Sequence, residues 1–149
     1  MKKFDKTAMT YVEKQRVREN VNGGLPVDML RAIFLMQHEL DSFIFEKHAD
    51  KLPQGISEWV TKLTIAMEDE ISEVRGEVNW KWWKGEKQIN IEKLHEEIID
   101  LWHFLVALSQ RAGLTPEKVF EVYQVKREEN FKRQNGTSTE KDYRDGGQN

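Results

Sequence analysis

The chain has 149 residues, no cysteine and a formal net charge of −3 at pH 7. Those figures exclude disulfides, thiolate metal sites and cysteine nucleophiles, and they lack the basic balance of a protein that coats nucleic acid. At 38% hydrophobic and 33% charged, a single domain with a heavily charged surface is expected.

Helical spacing dominates and strand-like alternation is absent, so the fold class read from the chain is all-α, a bundle of about five helices. The start "MKKFDKTAMTYVEK" has no apolar core of the signal-peptide kind, and no apolar run approaches the ~18 residues of a membrane span. A cytoplasmic protein with neither a nucleic-acid nor a membrane partner is expected. The first predicted helix covers 3–20 and is polar; "NVNGGLP" breaks it. The second covers 26–48, with Pro26 in its first turn, and "ADKLPQG" is the next loop. The third runs over 57–78, where Val60, Leu63, Met67, Ile71, Val74 and Val78 recur at three- and four-residue steps as an apolar stripe.

After the loop "KGEKQIN", the fourth predicted helix spans 91–112. Leu94, Ile98, Ile99, Leu101, Trp102, Phe104, Leu105, Val106 and Leu108 make it apolar on nearly every side. Such a helix is expected at the centre of a bundle, and the excess of apolar sides leads us to expect a homodimer. Gly113 ends it. Thr115 is the expected N-cap of the fifth helix, with Pro116 at its first position; that helix runs to Gln134. Residues 1–135 are read as one domain and 136–149 as a polar, mobile tail.

Acidic residues stand where a helix should be apolar. Glu70 and Glu73, and again Glu97 and Asp100, are three residues apart and share a helix face. Glu70 falls between Met67 and Val74 on the stripe, while Glu97 continues the line of Leu94, Leu101, Phe104 and Leu108. On a chain this charged, any single pair reads most simply as surface charge. Both pairs directed at the core require a counter-charge, because a buried lone carboxylate protonates or is avoided. Hard divalent cations prefer oxygen ligands, so Mg²⁺, or Mn²⁺, is the expected cofactor, bound by Glu70, Glu73, Glu97 and Asp100. A di-iron centre would require Glu-x-x-His pairs, and neither His95 nor His103 stands three residues after one of these glutamates.

The stretches "EISEVRGEVNWKWWK" and "EEIIDLWHF" together resemble the all-α nucleoside triphosphate pyrophosphatases of MazG-like type, and among them most the dimeric, Mg²⁺-dependent dUTPases. The shared pattern is E-x-x-E at Glu70 and Glu73, W-K-x-W-K from Trp80 to Lys84, then E-x-x-D at Glu97 and Asp100 followed by Trp102, His103 and Phe104. "KREENFKRQNG" resembles the family segment that faces the phosphates, which implies that role for Lys126, Asn130 and Arg133. "MQHELD" resembles the helix that meets uracil, which points to Gln37 and Asp41; Asp41 stands where the family has Asn and lacks its amide donor. The short connection "SQRAGLTPEKVF" is similar to the compact bacterial and phage type. A phosphate-covering role for Tyr143, Arg144 and Asp145 follows from "YRDGG" in spread-out form.

The resemblance implies Mg²⁺-dependent hydrolysis of dUTP to dUMP and pyrophosphate. Glu73 is the expected base toward water, and Trp83 and Phe104 are candidates for enclosing the base. Lys81 and Lys84 are candidates for phosphate, while Trp80 and Trp82 are expected to pack the bundle. His103 is expected as a hydrogen-bonded pocket or core histidine, and Gln37 carries both the donor and the acceptor that a uracil edge needs. On their own, Lys126, Asn130 and Arg133 at i, i+4 and i+7 also suit a solvated basic face near a helix C-terminus. Two alternatives use the same residues: a pyrophosphatase of dCTP or modified nucleotides, and a non-enzymatic helical interaction module.

Overall fold

A computed structural model describes residues 15–16, 19–20 and 28–139. Among them the ordered elements are helices without strands. Four are α-helices: α1 (Met29–Lys47), α2 (Ile56–Gly76), α3 (Ile91–Arg111) and α4 (Pro116–Gln134), with a 3₁₀ turn at Ala49–Lys51. No helix of the described residues is long and apolar enough to cross a membrane. The predicted helix over 3–20 lies outside the described residues apart from 15–16 and 19–20, which are helical. Pro26 also lies outside them.

Side-chain caps set the helix starts. Asp28 caps α1 by accepting from the Arg31 amide at 3.0 Å, so α1 begins three residues later than the proline suggested. Asn90 caps α3 through the Lys93 amide at 3.1 Å, and Thr115 caps α4 through the Lys118 amide at 3.2 Å. Helix α2 starts at Gly55, which has no side chain to offer. Instead Glu58, in the first turn, reaches back past Gly55 and accepts from the Gln54 amide at 2.7 Å. At the end of α3, Gly113 adopts φ 80°. Its amide donates to Gln110 O and that of Leu114 to Ser109 O, the paired bonds of a Schellman motif that needs a left-handed residue.

The chain divides into two compact units, one up to Leu114 and one from Thr115 onward. In the first unit, α3 packs against both α1 and α2, the central place expected of the most apolar helix. Its buried apolar residues are Ala32, Phe34 and Leu35 of α1 with Val106 and Ala107 of α3. Gln37, Asp41 and Glu97 are buried beside them. Burial of α3 is one-sided, because Ile98, Ile99, Trp102 and Leu105 remain exposed in the single chain. The α2 stripe is likewise half covered, with Val60 and Ile71 exposed. The second unit consists of α4 and the residues after it.

Candidate functional site: an acidic cluster beside an apolar pocket

One turn of α2 and one turn of α3 bring carboxylates together. Glu70 from α2 and Glu97 and Asp100 from α3 each place one oxygen within 4.8 Å of the others. Glu73, one turn beyond Glu70, lies close enough to Glu97 to hold its carboxyl above the usual range. Burial, then the charges of Glu73, Asp100 and Asp69, push the Glu70 carboxyl above the usual range. Glu97 is pushed up by burial first, then by Glu73 and Asp100, against the opposing charge of Lys93.

Lys93 is the nearby cation, but it is shared. Its Nζ lies 3.8 Å from Glu97 and 3.0 Å from Glu77, and the Glu77 contact is the larger reason that its own pKa is raised. A set of carboxylate oxygens, short of positive charge and drawn from two rigid helices, fits a hard divalent cation such as Mg²⁺ or Mn²⁺.

On its other side, α3 meets α1 across an apolar cavity of about 390 Å³, lined by Ile33, Met36, Gln37, Ile99, Trp102, His103 and Val106. The helical register explains the neighbourhood: Asp100 and His103 are one turn apart, so α3 serves the acids and the pocket with adjacent residues. Gln37 and His103 are the polar groups of that lining. Gln37 Nε2 donates to Asp41 Oδ1 at 2.7 Å, and Gln37 Oε1 meets His103 Nδ1 at 2.7 Å. Asp41 Oδ2 faces the Arg111 guanidinium at 3.6 Å.

Asp41 therefore sits behind Gln37 and is not among the cavity-lining residues. Trp83 and Phe104, the candidate walls for a base, do not line this cavity either; the aromatic residue there is Trp102. Phe104 is half-buried elsewhere on α3.

Trp83 belongs to the loop between α2 and α3. The Asn79 side chain clamps that loop, donating to Lys87 O at 2.8 Å and accepting from the Lys87 amide at 2.9 Å. Trp83 makes edge contacts with Trp80 and Trp82, with ring centroids 5.9 and 5.7 Å away. Trp82 is 87% exposed and Trp80 48% exposed, so the expectation that these two pack the bundle is corrected: they pack on Trp83. Lys81 and Lys84 line a shallow recess of about 230 Å³ with Asn79, Trp80 and Lys87. Lys81 Nζ lies 4.9 Å from the Trp80 ring centre.

In the second unit, Lys126 and Asn130 line a surface recess of about 340 Å³ with Tyr123, Arg127, Phe131 and Gln134. Arg133 is not among its lining residues. It turns to Glu129, with Nε–Oε1 at 3.4 Å, and to Asn130 Oδ1 at 3.4 Å. The i−4 carboxylate is a nearer electrostatic partner than the open recess, and sequence spacing alone did not weigh it. Tyr143, Arg144 and Asp145 lie outside the described residues.

Sequence reasoning singled out neither Trp102 as a cavity wall nor Arg111 as a partner of Asp41. Arg111 left one signal, a cation in the last turn of α3 after the apolar run from Phe104 to Leu108. The bond between Gln37 and His103 joins residues 66 apart in sequence, beyond the reach of any periodicity.

The sequence profile of the family described as dUTPase matches residues 29–112, which contain α1 to α3, the acids and the apolar cavity. A dCTP pyrophosphatase of Enterobacteria phage T4 is 27% identical, over 58% of this chain and 66% of its own. The matched part thus spans slightly under two thirds of that relative's length. No solved structure gives a significant match.

Proposed function

This chain belongs to the dUTPase family, and from that premise we propose that it hydrolyses a deoxypyrimidine nucleoside triphosphate, dUTP first, to the monophosphate and pyrophosphate. The observation that carries the proposal is the convergence of Glu70, Glu97 and Asp100 within 4.8 Å, on the same stretch of α3 that walls an apolar cavity with Trp102 and His103.

Glu70, Glu97 and Asp100 would hold Mg²⁺, which would supply positive charge to the triphosphate and acidity to water. The cavity takes the base, with Trp102 and Ile99 as apolar walls and the Gln37 amide as the polar contact. Glu73 orients water and accepts its proton at a carboxylate oxygen. The water oxygen bonds to the α-phosphorus, the bond from that phosphorus to the bridging oxygen breaks, and pyrophosphate leaves. Lys81 and Lys84 offer cations suited to phosphate oxygens; within the second unit, taken by itself, Lys126 and Asn130 offer a cation and an amide to an anion, while Arg133 is held on Glu129.

A second reading is dCTP as substrate. The dCTP pyrophosphatase activity of the T4 relative favours it, and a glutamine amide can pair with either pyrimidine edge. The exposed apolar faces of α1 and α3, including Met36, Phe43, Ile99 and Trp102, support a homodimer, which light scattering tests. A panel of dUTP, dCTP, dTTP and UTP with and without Mg²⁺, read by pyrophosphate release, tests the reaction. Faster release from dUTP only with Mg²⁺ supports the first reading. Faster release from dCTP supports the second, and no release from any overturns both.

A further inference from the structure

Two charged residues behind the cavity have no part in the reaction just described. Asp41, 5% exposed, accepts from Gln37 and faces Arg111. The Arg111 guanidinium carbon lies 4.2 Å from the ring centre of Phe45 and 4.5 Å from that of Trp59. Phe45 belongs to α1, Trp59 to α2 and Arg111 to α3, so the cation is held by three helices. Such aromatic faces favour a cation through their quadrupoles.

The hydrogen-bond polarity of this chain of groups has one consistent solution. An ionised carboxylate only accepts. Gln37 must therefore turn its NH₂ toward Asp41, because the reverse orientation would set two acceptors 2.7 Å apart. That places Oε1 against His103 Nδ1. An amide oxygen also only accepts, so Nδ1 carries the hydrogen, and in the neutral ring Nε2 keeps the lone pair.

Resting on the base-pocket reading above, we propose that Asp41 and Arg111 are positioning residues which lock the Gln37 amide in one orientation and His103 in its Nδ1–H tautomer, and thereby set which pyrimidine edge the pocket accepts. Arg111 anchors the Asp41 carboxylate that accepts from Gln37; with that anchor gone, the carboxylate and with it the Gln37 amide are free to turn. What remains for a base is then fixed in kind: one amide N–H, one Oε1 lone pair and the Nε2 lone pair. Reversing the amide exchanges donor for acceptor along this row. Donor–acceptor polarity is also what distinguishes the 4-amino edge of cytosine from the 4-oxo edge of uracil.

The test begins without nucleotide or metal. Side-chain ¹⁵N–¹H correlation spectra of histidine-labelled protein, recorded at alkaline pH where imidazole is neutral, report the tautomer of each ring, and a His103→Gln spectrum assigns the signal among the four histidines. The lock predicts Nδ1–H for His103 in the wild type and in Arg111→Lys, which keeps the charge. It predicts Nε2–H or a mixture in Asp41→Asn, whose amide can donate to Oε1, and in Arg111→Met. Wild-type His103 in the Nε2–H form overturns the proposal. So does an unchanged Nδ1–H form in Asp41→Asn that retains wild-type helical circular dichroism; this near-isosteric variant carries the test if Arg111→Met fails to fold.

In the second arm, the ratio of kcat/KM for dUTP to that for dCTP should change about tenfold or more in Asp41→Asn, since mismatched polar groups in a site are rejected strongly. An unchanged ratio overturns the specificity role. Absence of pyrophosphate release from any nucleotide overturns the reaction instead, and the tautomer spectra then decide the lock alone.

Discussion

Asp41 and Glu97 are both buried acids within one compact unit, at 5% and 8% exposure, yet their surroundings are opposite. Asp41 has a guanidinium at 3.6 Å and an amide donor at 2.7 Å. Glu97 has three other acids around it and a share of one lysine at 3.8 Å. A buried charge that is paired belongs to the architecture, because removing its partner exposes an uncompensated ion. Glu97 is the buried member of a like-charged group in which Glu70 is half-buried and Glu73 and Asp100 are exposed; with the Glu70 and Glu97 carboxyls pushed toward the protonated form, the group has a deficit that a cation from solution can fill. The same helix, α3, supplies Arg111 to the first arrangement and two acids to the second.

This contrast fixes what each change should do. The largest effect is expected at the deficient site: Glu97→Gln should lower Mg²⁺-dependent pyrophosphate release by about a thousandfold, the scale of losing a main electrostatic contact in a reaction of this kind. The metal-free variant should be no less stable than the wild type, because a repelling charge has gone. Activity assays paired with thermal unfolding in EDTA check both halves, and a strongly destabilised Glu97→Gln would erase the contrast. At the paired site the order reverses. Arg111→Met should cost about 3 kcal/mol of stability, read from urea unfolding, and Mg²⁺ binding should persist in the folded fraction.

The pH dependence separates the two arrangements further. Glu70 and Glu97 hold protons more tightly folded than unfolded. Between the two pKa values the native state binds more protons, so their contribution to stability is greatest in acid and declines as pH rises through the carboxylate range. Metal-free protein should show that decline in unfolding experiments, Glu97→Gln should flatten it, and saturating Mg²⁺ should reverse it by binding the native state, by about 2.7 kcal/mol at a hundredfold excess over Kd. The smallest effect is expected at Trp82, 87% exposed: Trp82→Ala should change stability by no more than about 0.5 kcal/mol, and a larger loss in urea unfolding would place the tryptophan loop in the folding core.

Much of this was legible in the chain because it is written in local period. The apolar steps gave α1 to α4 to within about three residues, and carboxylates standing on or beside the apolar stripes singled out Glu70, Glu97 and Asp100. The unread parts depend on contacts that no period encodes. Trp83 sits in a loop, where helical spacing says nothing about direction, while Trp102 lay hidden inside an apolar run that looked like plain core. Arg133 had a competing carboxylate one turn away in Glu129. The link from Phe45 and Trp59 through Arg111 and Asp41 to Gln37 and His103 joins three helices, and only their packing reveals it.

The central claim is that the acids of α2 and α3 form a divalent-cation site. Calorimetric titration of Mn²⁺ into metal-free protein, with Glu97→Gln and Arg111→Lys alongside, tests it most directly. The wild type and Arg111→Lys should bind with the same affinity, and Glu97→Gln should show at least a tenfold weaker isotherm. Equal binding by the wild type and Glu97→Gln, or no binding heat from either at any pH from 6 to 8, would contradict it.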